Sequence, residues 1–250
     1  MIASRLEVVD TIHLRRPTAP FLCRLKSSVG LTDKEERLVE ALQADIHTYA
    51  MGTHIHAEGD STVHPWVVAT GWACRMRALP DGRRQIISFF LPGDSIGVLG
   101  LQHEAVQCTI AAITDVELLN ATRLAEAVNH MAADMPNIIE AFRKEAIYRR
   151  RQQLDNILRL GRLTALERTA HLILELHDRM EIAGLAHDGR YPLLLTQSQL
   201  GEALGLSLVH VNRTMQQLRH DGLIELKSGW ASIFDRERME LLCDYKKIVV

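Results

Sequence analysis

The residues best suited to chemistry in this chain are hydrogen-bonding side chains in one C-terminal segment. Val211, Met215 and Leu218 recur at spacings of four and three, which predicts a helix with these residues inward. Asn212 and Arg213 then face outward, where a guanidinium can fork onto guanine and a carboxamide can reach adenine. We therefore predict DNA contacts from the outer side of this helix and from the residues that precede it: Thr196, Ser198, Ser207, Leu208, Val209, His210, Asn212, Arg213, Gln216 and Arg219.

A second short helix and a tight turn must position that outer side. Thr196 followed by Gln199 is typical of a capping box. Gly205 supplies the positive φ of a sharp turn, and Ser207 can cap the helix that follows. This order predicts a helix-turn-helix, whose second helix lies in a DNA major groove. The alternative is an ordinary helical hairpin within a core.

A predicted β-hairpin comes directly after the second helix. Residues 223–227 alternate apolar and polar, Ser228-Gly229 forms a turn, and residues 230–234 return. A hairpin at this place is the wing of a winged helix-turn-helix.

The composition favours a soluble globular protein of one large or two modest domains. The chain has 250 residues, of which 47% are hydrophobic and 24% charged. No apolar run approaches the 18 residues of a membrane span, and the charged N-terminus argues against a secretory signal. We therefore expect a cytoplasmic protein without a membrane partner. The formal net charge is −2, so DNA affinity must come from local placement of Arg and Lys.

The four cysteines are scattered and form no CxxC pair, which argues against a disulfide framework and a four-cysteine zinc site. They are Cys23, Cys74, Cys108 and Cys243. A redox-sensing thiol stays open.

The rest of the chain divides into a β-rich part and a helical part. From about 46 to 122, short apolar runs alternate with turn residues, which predicts a β-sandwich or barrel. One long helix is predicted from Pro136 to about Leu160, and another from Ala165 to Met180. We expect the long helix to form a dimer seam, with intramolecular packing as the alternative. The predicted seam residues are Ile139, Phe142, Ala146, Arg150, Gln153 and Ile157.

This order of elements resembles the Crp/Fnr family of bacterial transcription regulators. Besides the helix-turn-helix, the resemblance rests on the segments 55–60 (IHAEGD), 70–73 (TGWA), 81–86 (DGRRQI) and 91–97 (LPGDSIG). It implies an α+β fold with an N-terminal double-stranded β-helix (jelly roll), a long dimerisation helix and a C-terminal winged helix-turn-helix. The expected boundaries are 1–29 for an N-terminal extension, 30–133 for the cyclic-nucleotide-binding-like roll, 134–163 for the dimerisation helix and 164–250 for the DNA-binding domain.

The sequence departs from the cofactor-binding members of that family. Cyclic-AMP-binding members carry the segment Gly-Glu-Leu-Gly, whose Glu binds the ribose. The matching segment here is Gly-Val-Leu-Gly at 97–100, so Val98 replaces that Glu. Their Arg-Ser pair, which binds the phosphate, is replaced by Gln107-Cys108. Iron–sulfur members need an N-terminal cysteine cluster, where this chain has only Cys23. We expect no cofactor and leave any small-molecule effector unidentified.

The recognition helix also differs from that of relatives. Val209 stands where relatives usually have a Glu that accepts from cytosine, whereas Arg213 matches their base-reading Arg. The resemblance implies that Ser207 and Arg219 hold phosphates. It also implies RNA polymerase contacts at the 81–84 turn and the 183–191 loop. The alternative is that both segments are plain surface loops.

Histidines near the start of the roll suggest a different class of function. His54 and His56 are two residues apart on a predicted strand, so both side chains point to one face, with Glu58, His47 and His64 nearby. A cupin-type metalloenzyme uses such a pair, but its Glu comes later than Glu58 does. A hydrogen-bonded or solvated face is the competing interpretation.

We conclude that the chain is a non-enzymatic, homodimeric regulator that binds double-stranded promoter DNA. The alternatives are a cupin-like metalloenzyme fused to a DNA-binding tail and a cyclic-nucleotide-responsive factor with an altered site.

Overall fold

The computed structural model describes residues 16–61, 63–98, 106–130 and 132–248. They form two compact units, one of residues 16–151 and the other starting at Gln152, and the boundary falls within one long helix. None of the helices in these ranges combines the length and apolar character needed to cross a membrane.

The first unit has helices before and after its strands in the order of the chain. Its helices are α1 (Ala19–Lys26), α2 (Asp33–Glu40), α3 (Thr122–His130) and the first part of α4 (Pro136–Arg162), with 3-10 turns at Ala41–Ala44 and Ala132–Asp134. Its strands are β1 (Ile46–Tyr49), β2 (His54–His56), β3 (Trp66–Thr70), β4 (Ala73–Ala78), β5 (Arg84–Phe90), β6 (Ser95–Ile96), β7 (Thr109–Ala112) and β8 (Val116–Asn120).

Two antiparallel four-stranded sheets form a roll, in the orders β1-β8-β3-β6 and β2-β7-β4-β5. Alternating residues of facing strands fill the space between the sheets, among them Trp66, Val68, Phe90, Ile110 and Leu118. Strand β3 is buried on both faces, because its alternate residues Val67 and Ala69 belong to a second core outside the roll. The predicted jelly-roll architecture is confirmed.

Helix α1 is an integral part of this unit, although it lies within residues 1–29, which we expected to form an extension. Phe21 and Leu25 are buried in a core shared with α3, α4 and the outer side of β3 and β8. Arg24 is buried as well and donates to Glu145 of α4 at 2.9 and 3.0 Å. Burial raises the pKa of Glu145, but Arg24 and Arg149 outweigh it and lower that pKa to about 2.

The second unit contains the end of α4 and the predicted DNA-binding domain. Its elements are α5 (Ala165–Ile182), β9 (Arg190–Pro192), α6 (Gln197–Leu204), α7 (Leu208–His220), β10 (Ile224–Lys227), β11 (Trp230–Ile233) and α8 (Arg236–Cys243). Helix α5 starts at a capping box formed by Thr164 and Glu167. Its buried residues pack against α6, α7 and α8.

The wing is a three-stranded antiparallel sheet in the order β10-β11-β9. Ser228 and Gly229 connect β10 to β11 and both have positive φ, at 52° and 82°. Two such residues match the right-handed twist of a tight hairpin, which explains why Gly follows Ser here. The predicted hairpin and the winged helix-turn-helix are therefore confirmed.

Candidate nucleic-acid interface

Helices α6 and α7 meet through a turn that local sequence specifies. The Thr196 hydroxyl accepts from the Gln199 amide, and the Gln199 side chain accepts from the Thr196 amide. Gly205 ends α6 with φ of 63°, a left-handed conformation that suits glycine. The Leu206 amide donates to the Gly201 carbonyl at 3.0 Å, which closes the turn.

Helix α7 separates its buried side from its exposed side as predicted. Val211, Met215 and Leu218 are buried, and Thr214 is buried beside them. Leu208, Val209, His210, Arg213, Gln216 and Arg219 are exposed, and Asn212 is half-buried. Val209 is 66% exposed beside the exposed Leu208. An apolar group at this place suits the methyl group of a thymine.

The charges on the exposed side of α7 are positive and not neutralised. No Asp or Glu lies between 208 and 220. Within the described ranges, no hydrogen bond or ion pair holds the Arg213 side chain. Arg219 donates from Nε to the Met215 carbonyl at 3.2 Å, which leaves its outer N–H groups available. Both guanidinium groups can therefore meet phosphates or base acceptors without breaking an internal ion pair.

The N-termini of α6 and α7 add neutral hydrogen-bonding groups. Thr196 and Ser198 are exposed at the start of α6, where the helix dipole favours anions such as phosphate. Ser207 caps α7: its hydroxyl accepts from the His210 amide at 3.4 Å. The same hydroxyl lies 3.0 Å from Nδ1 of the His210 ring. The structure thus brings together the ten predicted contact residues on the two helices of the motif.

Helix α5 holds the motif through contacts that the sequence analysis missed. Arg168 donates to the Leu163 carbonyl at 2.8 Å and to the Leu204 carbonyl, at the end of α6, at 3.2 Å. The buried hydroxyls of Thr169 and Thr214 lie 3.1 Å apart and join α5 to α7. The only sequence signal was polar residues at inward positions of a helix.

A buried network centred on Asp178 joins α5 to the C-terminal helix. Arg236 donates two hydrogen bonds to the Asp178 carboxylate, at 2.6 and 3.0 Å, and the Tyr245 hydroxyl donates a third at 2.8 Å. Burial raises the pKa of Asp178, but these donors and His177 lower it to about 2. His177, Asp178 and Glu181 are close enough to share a metal ion. Because Arg236 and Lys247 already neutralise the two carboxylates, the arrangement is that of a structural ion-pair network.

The long helix α4 extends as predicted, but one of its predicted seam residues, Phe142, is not available to a partner. Phe142 is only 2% exposed, and its ring centroid lies 6.3 Å from that of Phe21 in the core of the first unit. Ile139 packs against the same core. Placing Phe142 at the seam was wrong, because α1 covers it, whereas Ile139 is half-buried and its place at a seam stays a prediction.

The rest of the predicted seam is exposed, together with apolar residues that the prediction omitted. Ala146, Arg150, Gln153 and Ile157 are exposed. Ile157 is 69% exposed and Leu154 56%, and Leu158 is exposed beside them. Large aliphatic side chains one turn apart form an apolar stripe on an otherwise polar helix, which is a feature of helix–helix contacts.

The roll positions that hold cyclic AMP in relatives carry different chemistry here. Val98 is buried and packs into the core near α3, and Gln107 is exposed without a charge. Residues 99 and 100 of the same segment lie outside the described ranges. Neither described position offers the carboxylate or guanidinium that the nucleotide needs.

The histidines of β2 do not converge on a metal site in the described ranges. A register shift between His54 and His56 breaks the expected alternation, so His54 is exposed and His56 is buried. The ring of His56 contacts the His64 carbonyl at 3.0 Å, and burial lowers its pKa. Glu58 pairs instead with Arg77 at 3.2 Å. The prediction that both histidine side chains point to one face was wrong.

Comparison with known proteins points in the same direction as this geometry. Residues 46–125 match the cyclic nucleotide-binding domain family, and residues 167–242 match the Crp-like helix-turn-helix domain family. The chain is 30% identical over 224 residues to the nitrogen fixation regulation protein FixK of Bradyrhizobium diazoefficiens, covering 88% of this chain and 92% of that protein. It is 29% identical over 225 residues to the transcriptional activator protein FnrL of Cereibacter sphaeroides, covering 89% and 88%. The solved structure of FixK2 from Bradyrhizobium japonicum has a TM-score of 0.65 and 29% identity, covering 79% of this chain and 96% of that one.

Proposed function

Because the chain belongs to the Crp/Fnr family of bacterial transcription regulators, we propose that it binds a two-fold-symmetric promoter site as a homodimer. We further propose that it activates transcription there without cyclic AMP and without an iron–sulfur cluster. Its similar relatives are named as regulators, and the separated histidines of β2 remove the basis for a cupin-like enzyme.

The observation that carries the DNA contact is the unneutralised outer side of α7. Arg213 lies there without an internal partner in the described ranges, one turn after the exposed Val209. In a helix-turn-helix, residues near the start of the second helix reach base edges in the major groove. Arg213 would then read a guanine through two hydrogen bonds, and Val209 would contact a thymine methyl.

The exposed apolar stripe of α4 supports a homodimer. Leu154, Ile157 and Leu158 expose a surface that a second copy of the same helix would cover in an isologous contact. A two-fold dimer presents two recognition helices to successive turns of the major groove, about 34 Å apart. We therefore place the centre of the seam on this stripe, beginning near Ala146, and no longer include Phe142.

Independence from the usual cofactors follows from the missing groups. A cyclic phosphate buried without its guanidinium loses a charge-assisted hydrogen bond, and Gln107 supplies no charge in its place. An iron–sulfur cluster needs four ligands, and Cys23 has no neighbouring cysteine in the sequence. Any effector of this chain would thus have a different chemistry.

Activation and polymerase contact are proposed by analogy with relatives. FnrL is named a transcriptional activator. The turn at 81–84 is exposed, and the Arg83 guanidinium donates to the Asp81 carboxylate, an interaction that lowers the pKa of Asp81. We propose that this turn and the 183–191 loop contact RNA polymerase, as the matching positions do in relatives, and that the protein acts in the cytoplasm.

Selection of bound DNA from a random pool tests the proposed function. We expect recovery of a palindrome whose half-sites are one helical turn apart, in aerobic buffer and without cyclic AMP. Light scattering on the protein–DNA complex should give two chains per site. Recovery of no enriched sequence, or of a single half-site bound by one chain, would contradict the proposal.

A further inference from the structure

The first turn of the recognition helix contains a histidine that the cap residue orients. Ser207 uses its hydroxyl oxygen to accept the His210 amide hydrogen at 3.4 Å. The same oxygen lies 3.0 Å from Nδ1 of the His210 imidazole. One hydroxyl therefore contacts both the backbone and the ring of the residue three positions later.

Two physical effects decide which of the two atoms donates. If the hydroxyl donates to Nδ1, the two hydrogen bonds, from amide to hydroxyl and from hydroxyl to ring, point in the same direction. Hydrogen bonds linked in this way polarise and strengthen each other. The unpaired N–H groups at the start of α7 also create a positive potential, which favours an acceptor lone pair there over a further N–H. Both effects make Nδ1 the acceptor, so the proton of the neutral ring is on Nε2.

The free Nε2–H group is then presented to solvent on the DNA side of α7. His210 is exposed and lies three residues before Arg213, so the two side chains are neighbours on one side of the helix. Three residues advance about 4.5 Å along a helix, which is between one and two of the roughly 3.4 Å steps that separate successive bases. On DNA, a donor at this place would reach the base pair next to the one that Arg213 reads.

We propose that His210 is a specificity-determining residue, whose Nε2–H donates to a purine N7 or guanine O6 and whose tautomer is set by Ser207. The proposal rests on the proposed DNA binding and names a second base contact within it. Ser207 acts as a positioning residue: its one hydroxyl proton goes to the His210 ring and is then not available to the phosphate contact that the resemblance implied.

Nitrogen NMR of the free full-length protein tests the tautomer without DNA. With 15N-labelled histidine at pH 8, we expect the His210 signals of a ring protonated at Nε2. Ser207→Gly should shift them toward a mixture, and glycine is itself an accepted N-cap residue, so α7 should keep its start. Ser207→Thr keeps the hydroxyl and should keep the wild-type pattern. A wild-type ring protonated at Nδ1 would overturn the assignment of Ser207.

Binding to the selected site and to its single-base variants tests the base contact. His210→Ala should reduce discrimination roughly three- to tenfold at one base pair, adjacent to the pair affected by Arg213→Ala, because one neutral hydrogen bond disappears. His220→Ala, an exposed histidine at the other end of α7 that contacts Asp221, is the matched control and should leave every preference unchanged. Ser207→Gly should fall between wild type and His210→Ala.

The outcomes distinguish failure of the His210 contact from failure of DNA binding as a whole. An equal loss on every sequence, with a smaller salt dependence, would assign His210 to a phosphate and overturn the proposal. If a site is selected and His210→Ala changes no base preference, the His210 contact is wrong while DNA binding stands. If no site is selected at all, the proposed function itself fails.

Discussion

Arg213→Ala removes the side chain on which the docking of α7 depends most. Because this guanidinium is exposed and has no hydrogen bond or ion pair within the described ranges, its loss should change the free energy of unfolding by less than about 0.5 kcal/mol. A bidentate contact with guanine contributes about 1–3 kcal/mol of base discrimination, which is roughly a 5- to 150-fold change in affinity. A symmetric dimer loses this contact in both half-sites, so about 2–6 kcal/mol should disappear from the full site.

Fluorescence anisotropy on the selected site and on each single-base variant measures the effect. Arg213→Ala should flatten the preference at one base pair per half-site and leave the others intact. Arg219→Ala is the comparison, because its Nε is already bound to the Met215 carbonyl and its outer groups suit a phosphate. It should weaken binding to all sequences alike and lower the salt slope by about 1 for each phosphate that is no longer neutralised.

Full discrimination at every position in Arg213→Ala would refute the assumed docking. The helix-turn-helix would then have to meet DNA in a different orientation. A uniform loss with a reduced salt slope would mean instead that Arg213 binds a phosphate. Thermal unfolding of both variants serves as the control for folding.

The remaining predictions concern the effector, the dimer and the stability of the second unit. Calorimetry should detect no micromolar binding of cyclic AMP, because Val98 and Gln107 replace the ribose and phosphate ligands; a one-to-one micromolar isotherm would contradict this. Ile157→Arg should give monomers by light scattering, because the dimer would lose about 3 kcal/mol or more of its association free energy from two symmetric apolar contacts. The control Leu241→Arg, on the exposed side of α8, should stay dimeric. DNA affinity should survive air, and a visible cluster absorbance that oxygen abolishes together with binding would argue otherwise. The pKa of Asp178 is about 2 in the folded protein, below its usual value of 3.8, so its ionised form stabilises the fold by roughly 2 kcal/mol. This contribution to the free energy of unfolding should be fully present above about pH 5 and lost between about pH 4 and pH 2. Asp178→Asn should flatten that part of the pH profile of unfolding, and an unchanged profile would place the acid sensitivity elsewhere.

Local features of the second unit were determined by neighbouring residues and could be predicted from the sequence alone. The Thr196 capping box, the left-handed Gly205 and the Ser207 cap all form within four residues of chain. The inward side of α7 follows from the spacing of its apolar residues. Such features need no distant partner, so the helix-turn-helix and its wing appear in the sequence as they do in the structure.

The face of α4 that is free for a partner was decided by tertiary structure. Phe142 and Ile157 both look like seam residues in the helical pattern, but Phe21, more than a hundred positions earlier, covers Phe142 and leaves Ile157 exposed. Helical periodicity gives the angle of each residue around its own axis and says nothing about which side another element occupies. The prediction therefore found the helix and misplaced the first part of its seam.

Charged residues in buried positions depended on the tertiary structure in the same way. Two buried ion pairs, Arg24 with Glu145 and Asp178 with Arg236, follow no pattern that is visible in the sequence. The two residues of each pair are at least 58 positions apart in the sequence. Only the folded structure buries their side chains and brings the opposite charges into contact. Likewise, the register shift in β2 separated His54 from His56, because strand pairing with β7 set the local geometry. The sequence alone determined which short segments become helices, turns and caps, whereas the tertiary structure decided which surfaces remain exposed, because burial depends on residues that only folding brings together.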